Sequence, residues 1–325
     1  MANLKVNVAG VEFPNPVIVG SASPSMDWIG VKKGIEGGSG GVIVKSLFGE
    51  KGKLGRNFPR PRFKLYDYKT YPGYPQSLPH AFTLNSLEEC SHFGYQEYME
   101  DVNRAKDAVG DKGIVMASLS GVTLDEWQEM VGLVNETNAD WVELNVSCPF
   151  AADMGVKMGA GAVDMTADVV RTCANLLKKP FSVKVSPQTV DQSSVALACQ
   201  EAGAQCINLS ARFSGFDLDI DQARPVGPGA QGGWGGPYFI GYGLKNCALA
   251  ANKLSIPSSP VWACGIGATS SSTPWWALLW CSPAWASCSR GTTWPRSGTS
   301  TSASGWMPAV TALWTISAAS PCPTS

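Results

Sequence analysis

Short apolar runs alternate with amphipathic segments along the first 265 residues. PVIVGSAS (16–23), GGVIVKSLF (40–48), GIVMASLSG (113–121), ADWVELNVS (139–147), PFSVKVSP (180–187), AQCINLSA (204–211) and SPVWACG (259–265) read as strands. Between them lie helical patterns. In TLDEWQEMVGLVNETN (123–138), Trp127, Met130, Val131 and Val134 share a face, and Thr123 can cap the start with Glu126 three residues on. TADVVRTCANLLKK (166–179) carries Val169, Val170 and Cys173 the same way, with lysines in its last turn. VDQSSVALACQEAG (190–203) ends on Gly203, a natural residue just past a helix end. Strand, helix, strand at this spacing predicts a parallel sheet with right-handed crossovers. Seven strands in order, with room for one more, predict an α/β fold of the (β/α)8 TIM-barrel class. The insertion from Gly49 to Gly110, rich in Pro, Tyr and Arg, is expected to be a loop excursion at the barrel mouth plus one helix.

Composition divides the chain near residue 265. The last acidic residue is Asp221, and from Ile266 to Ser325 the only charges are Arg290 and Arg296. At roughly 25% charged residues, sixty positions should hold about fifteen. The same segment has seven of the twelve tryptophans, thirteen serines and nine threonines, with no sustained period. Linkers lack tryptophan and cores lack this much Ser and Thr. The expected domains are therefore a barrel over 1–265 and an aberrant, frameshifted tail over 266–325 in place of the last barrel segments. The barrel is then expected to lack its eighth strand.

Net charge is −1, so nothing argues for a nucleic-acid or anionic-membrane partner. No apolar run approaches the ~20 residues needed to span a bilayer, and the N-terminus has no secretory pattern, so a cytoplasmic location is expected. The ten cysteines are scattered, with no CxxC pair, and the two histidines, His80 and His92, are isolated. That supplies no ligand set for a metal or an iron–sulfur cluster.

In a barrel of this class the C-terminal strand ends converge on the working face. Those ends are Ser21–Ala22–Ser23, Lys45 with Ser46, Asn145 with Cys148, Lys184, and Asn208 with Ser210. Two lysines sit inside apolar strands, at VIVKS and SVKVS. A buried ammonium is costly unless it faces an anion or a polarised ring; the alternative is a lysine reaching outward along the surface. Gly232, Gly233, Gly235 and Gly236 precede an apolar helical run, where backbone N–H groups can approach an anion. Cys148 reads either as a buried structural thiol or as a group that exchanges a proton at the strand mouth.

GVEFPNPVIVGSASPS, GGVIVKS, ELNVSCP, SVKVSP and GGWGGPYF, in this order and spacing, resemble the dihydropyrimidine dehydrogenase and dihydroorotate dehydrogenase family. The flavin-bearing catalytic subunits of NAD-dependent dihydropyrimidine dehydrogenases are nearest. The resemblance covers roughly residues 5–265 and implies an FMN-binding barrel, a pyrimidine-like substrate, an electron-transfer partner subunit or soluble acceptor, and a homo-oligomer. It implies that Ser21, Ala22, Ser23, Lys45, Ser46, Asn145, Asn208 and Lys184 contact the flavin. Gly232, Gly233, Gly235 and Gly265 would hold its phosphate. Asn85, Asn145, Ser210 and Arg212 would contact substrate. The implied chemistry is hydride transfer through flavin N5 with Cys148 moving the proton at the adjacent carbon and Lys184 stabilising charge on the flavin.

Two departures shift these expectations. Where the family has an Asn-Thr pair that reads the pyrimidine, ungapped alignment gives Ala211 and Arg212, and an arginine favours a carboxylate-bearing substrate such as dihydroorotate. Cys264-Gly265-Ile266-Gly267 only partly preserves a phosphate-binding pair. A second function class is an inactive, truncated barrel acting as a binding or scaffold subunit. A third is a non-flavin aldolase with Lys184 as its Schiff-base lysine.

Overall fold

A computed structural model of the chain describes residues 4–49, 63–67, 82–86, 90–147, 163–189, 191–209, 211–225, 232–235, 239–259 and 279–281. The chain opens on a hairpin, β1 (Val6–Val8) and β2 (Val11–Phe13), paired antiparallel through Ala9 and Gly10. Both turn residues have positive φ, 47° and 86°, the combination a two-residue turn needs to match strand twist.

The sheet elements that follow are β3 (Val17–Val19), β4 (Gly41–Ile43), β5 (Leu47–Phe48), β6 (Phe63–Asp67), β7 (Phe82–Ser86), β8 (Ile114–Ser120), β9 (Trp141–Asn145), β10 (Phe181–Lys184), β11 (Ile207–Asn208), β12 (Phe213–Gly215), β13 (Leu218–Asp219), β14 (Arg224–Pro225), β15 (Gly232–Gly235), β16 (Ser258–Ser259) and β17 (Leu279–Cys281). The helices are α1 (Trp28–Glu36), α2 (Tyr95–Val109), α3 (Leu124–Asn135), α4 (Val163–Leu176), α5 (Gln192–Glu201) and α6 (Ile240–Ala251). Strands β3, β4, β8, β9, β10, β11 and β16 pair in that order, every pair parallel. This is the curled parallel sheet of a (β/α)8 barrel. The position beside β3, where an eighth parallel strand belongs, is taken by β17, which runs antiparallel with Trp280 opposite Ile18.

Two cores follow from strand alternation. Val42, Val115, Val142, Val183 and Ile207 face the helices and pack with Val31, Trp127, Val170 and Ala196. Ile18, Ile43, Met116, Trp141 and Cys206 point into the barrel, where Val8 and Phe13 of the hairpin join them. Phe13 meets Trp141 edge-on at 6.0 Å. The hairpin thus plugs the N-terminal end of the barrel and leaves the other end for chemistry.

Local signals place the helices as expected. Thr123 accepts from the Glu126 N–H and Glu126 reaches back, a reciprocal cap for α3. Gly203, at φ 108°, closes the turn after α5. The insertion differs from expectation: β6 and β7 form a hairpin within a four-stranded antiparallel sheet ordered β12-β15-β7-β6. Its other two strands lie about 130 to 150 positions further along the chain, beyond the reach of any local pattern.

Helix α2 carries one strained group. Asp101 is 4% exposed, one carboxylate oxygen accepts from the Trp28 N–H, and Oδ2 has no partner among the described residues. Burial, reinforced by Asp27, raises its pKa to about 6. An acid raised above its unfolded value near 3.9 destabilises the folded state when ionised. Its penalty is therefore present at neutral pH and fades as pH falls through 6 toward 4. Asp101→Asn is expected to raise stability by about 2 kcal/mol at pH 7.5, with the gain shrinking toward pH 4. Thermal melts of both proteins across that range check it, and a gain independent of pH would refute it.

Candidate active site

The register brings the polar strand ends together. Asn145 lies opposite Lys184, Lys184 opposite Asn208, and Asn208 opposite Ser259. Counting from the inward residues Trp141 and Cys206, the period of two turns Glu143, Asn145 and Asn208 into the barrel.

The run from β4 into β5 reaches this layer by an irregularity. Ile43 pairs with Met116 and Leu47 with Leu119, so four steps on one strand match three on the other. The extra residue is a bulge, which re-aims side chains where the ladder would repeat. Lys45, 2% exposed, and Ser46 sit in it. The Ser118 N–H and C=O, left without a strand partner, bond the Tyr98 hydroxyl of α2, both at 3.0 Å. Burial pushes the Tyr98 pKa upward, so the hydroxyl stays protonated.

A continuous hydrogen-bonded chain results. Ser21 Oγ lies 3.0 Å from Ser46 Oγ and accepts from the Ser46 N–H. Ser46 Oγ is 2.8 Å from Ser118 Oγ and accepts from Asn145 Nδ2 at 3.0 Å. Asn145 Oδ1 accepts from both the N–H and the hydroxyl of Ser147, the residue before Cys148. Ser118 donates to Glu143 Oε1 at 2.9 Å, Lys184 Nζ reaches the same oxygen at 3.0 Å, and Asn208 Nδ2 donates to Glu143 Oε2 at 3.0 Å. Glu143 is 1% exposed and Lys184 9%, so this is a buried ion pair. Cys206, the residue before β11, lies near the pair; burial first, and the Glu143 charge second, raise its pKa and keep it a thiol.

Sequence reading overlooked Glu143, Ser118 and Ser259. Glu143 stands between apolar neighbours exactly two residues before Asn145, and that spacing alone places it inward. Ser259 is fully buried, and its Oγ has no partner among the described residues.

The remaining candidates form a second group at the small sheet. Gly232–Gly235 is strand β15, not a loop running directly into a helix; α6 begins at Ile240. Trp234 pairs with Asn85 on β7 and with Phe213 on β12, which brings the Asn85 backbone and the Arg212 neighbourhood into one sheet. Arg212 lies across the glycines: a Cβ on Gly233 would come within 2.8 Å of its guanidinium carbon. Phe213 stacks on Phe239 at 4.9 Å and meets Tyr242 edge-on, tying this sheet to the start of α6. Ala22 and Ser23 open a short 3-10 turn after β3, held by Ser25. Cys148, Ser210 and Gly265 lie outside the described residues. Among the described residues no group of three His, Cys, Asp or Glu side chains is placed to hold a metal ion.

The profile of one family, dihydroorotate dehydrogenase, matches residues 3–267. The chain belongs to the dihydroorotate dehydrogenase family. Its relatives include the catalytic subunit of dihydroorotate dehydrogenase B (NAD(+)) from Alkaliphilus metalliredigens, 29% identical over 260 residues, covering 78% of each chain. The counterpart from Methanocaldococcus jannaschii is 28% identical over 244 residues, 74% of this chain and 73% of the relative. Among solved structures, dihydroorotate dehydrogenase from Eimeria tenella in complex with ferulenol superposes with a TM-score of 0.56 at 14% identity, covering 79% of this chain and 72% of that one. That likeness supports the barrel fold. Membership of the dihydroorotate dehydrogenase family makes the chain a flavin-dependent oxidoreductase acting on a CH–CH bond, in a family that binds FMN. The nearer likeness to dihydropyrimidine dehydrogenases has no counterpart in these relatives. Among the described residues no helix is long and apolar enough to cross a membrane.

The residues present fit a flavin. A buried ammonium, two carboxamides and several hydroxyls from six consecutive barrel strands converge at the C-terminal ends, and the buried Ser259 hydroxyl in the same row has no partner among the described residues. Such a donor set suits the polar edge of an isoalloxazine rather than an apolar ligand.

Proposed function

We propose that the chain oxidises dihydroorotate, a dihydropyrimidine bearing a carboxylate, with FMN at the strand ends. The observation that carries this reading is the buried chain from Ser21 through Ser46, Asn145 and Glu143 to Lys184 and Asn208. Bound there, FMN supplies a hydride acceptor for one carbon of the ring C–C bond. Lys184 and Asn208 orient the flavin and offer positive and donor character to it. Asn145, held at both ends of its carboxamide, orients the ring. Cys148 follows Ser147; its thiolate takes the proton from the adjacent carbon and becomes the neutral thiol. Arg212 takes the substrate carboxylate, and the names of the relatives support dihydroorotate over dihydrouracil. Since those relatives are catalytic subunits, a second subunit accepting the electrons belongs to the proposal.

The test is purification with added FMN, then anaerobic mixing with each substrate. Bleaching of the flavin by dihydroorotate and not dihydrouracil is expected. The reverse preference overturns the substrate assignment, and a protein that takes up no FMN favours an inactive scaffold. Arg212→Ala is expected to lower kcat/KM for dihydroorotate roughly 10- to 100-fold, mostly through KM, the worth of one charge-assisted contact. An unchanged KM would remove Arg212 from the site.

We further propose that residues 266–325 are out of frame. The composition change, the end of the family match at residue 267 and the antiparallel run of β17 support this reading. The coding DNA tests it: a charged, periodic continuation in another frame is expected.

A further inference from the structure

We propose that Glu143 is a positioning residue that sets how much of the Lys184 charge reaches the flavin. This rests on the flavin reading above. The hydrogen-bond partners of Glu143 among the described residues point back to that reading. Lys184 Nζ and Asn208 Nδ2 bind its two oxygens directly, and Ser118, its third donor, passes to Ser46 at 2.8 Å. The three donors come from β8, β10 and β11, so one carboxylate on β9 fixes side chains of three neighbouring strands. At 1% exposure it has no water to dilute its field. A lone Lys184 ammonium would pull strongly on negative charge developing over flavin N1 and its adjacent carbonyl. An anion 3.0 Å from that ammonium cancels part of the pull and holds the flavin potential down.

Sulfite gives a readout that needs no turnover. Its sulfur lone pair forms one bond to flavin N5, no electrons leave the adduct, and the negative charge settles on the N1 side of the ring. With charge-neutral Glu143→Gln, FMN-loaded protein is expected to bind sulfite at least tenfold more tightly than wild type. The two-electron midpoint potential should rise by about 30 mV, the same tenfold converted at ~29.6 mV per decade. In a Lys184→Gln background the Glu143→Gln effect should fall below threefold, because the residue acts through the lysine. Glu143→Asp keeps the charge and withdraws it by one methylene, so it carries the test should Glu143→Gln fail to fold; at least a threefold tightening is expected. Unchanged or weaker sulfite binding in a variant that still holds FMN overturns the inference alone, as does a full effect in the Lys184→Gln background. A wild type that takes up no FMN overturns the flavin reading and this inference together.

Discussion

Lys184→Met is expected to lower the stability of the folded chain by about 3–5 kcal/mol, the cost of stripping one partner from a buried ion pair. Glu143 stays buried and keeps, among the described residues, the two neutral donors Ser118 and Asn208. The loss should not depend on salt between low and moderate ionic strength, because screening acts on exposed charges. Removing both charges, as in Lys184→Met with Glu143→Leu, should recover much of the loss, since apolar replacement of a whole pair is often neutral. Denaturant midpoints at constant slope read both effects. A loss below about 1 kcal/mol would mean that the pair is solvated and that the barrel interior is wet. FMN retention should fall with the lysine in both variants, which separates its two roles: only the double variant recovers stability, and neither recovers flavin.

Cys148→Ala is expected to slow anaerobic bleaching of the flavin by dihydroorotate about 10²- to 10⁴-fold, the usual worth of a positioned proton acceptor. Substrate affinity should change little, because the side chain removed is small and Asn145 remains. Cys148→Ser keeps a hydroxyl of higher pKa, so its residual rate should climb with pH beyond the wild-type optimum. Stopped-flow spectra of the single reductive half-reaction give the number directly. Bleaching by the alanine variant within threefold of wild type would assign the proton to another group.

Alternation and strand spacing made the barrel readable because both follow from which face of each strand is buried. The strand ends carried the candidate site for the same reason: Asn145, Lys184 and Asn208 are polar residues on inward positions, and parity places them together. What escaped notice obeys other rules. Glu143 was hidden by its apolar neighbours Trp141, Val142 and Leu144, although its parity with Asn145 was available. The bulge around Lys45 and Ser46 exists only as a mismatch between two strands 70 residues apart, and no window on either one contains it. Gly232–Gly235 carries too little side chain to show any period, so its pairing with β7 and β12 was legible only from its partners. Arg212 was noticed as a departure from family pattern; its position over Gly233 required the fold.

The hairpin at the N-terminus has a consequence for how the chain comes off the ribosome. Val8 and Phe13 emerge well before Cys206, yet their burial needs Cys206 as well as Ile18, Ile43, Met116 and Trp141. At ordinary synthesis rates the intervening stretch takes roughly 10–40 s to appear. For that interval the nascent plug has nothing to close, and its apolar face is open to chaperones or to neighbouring nascent chains.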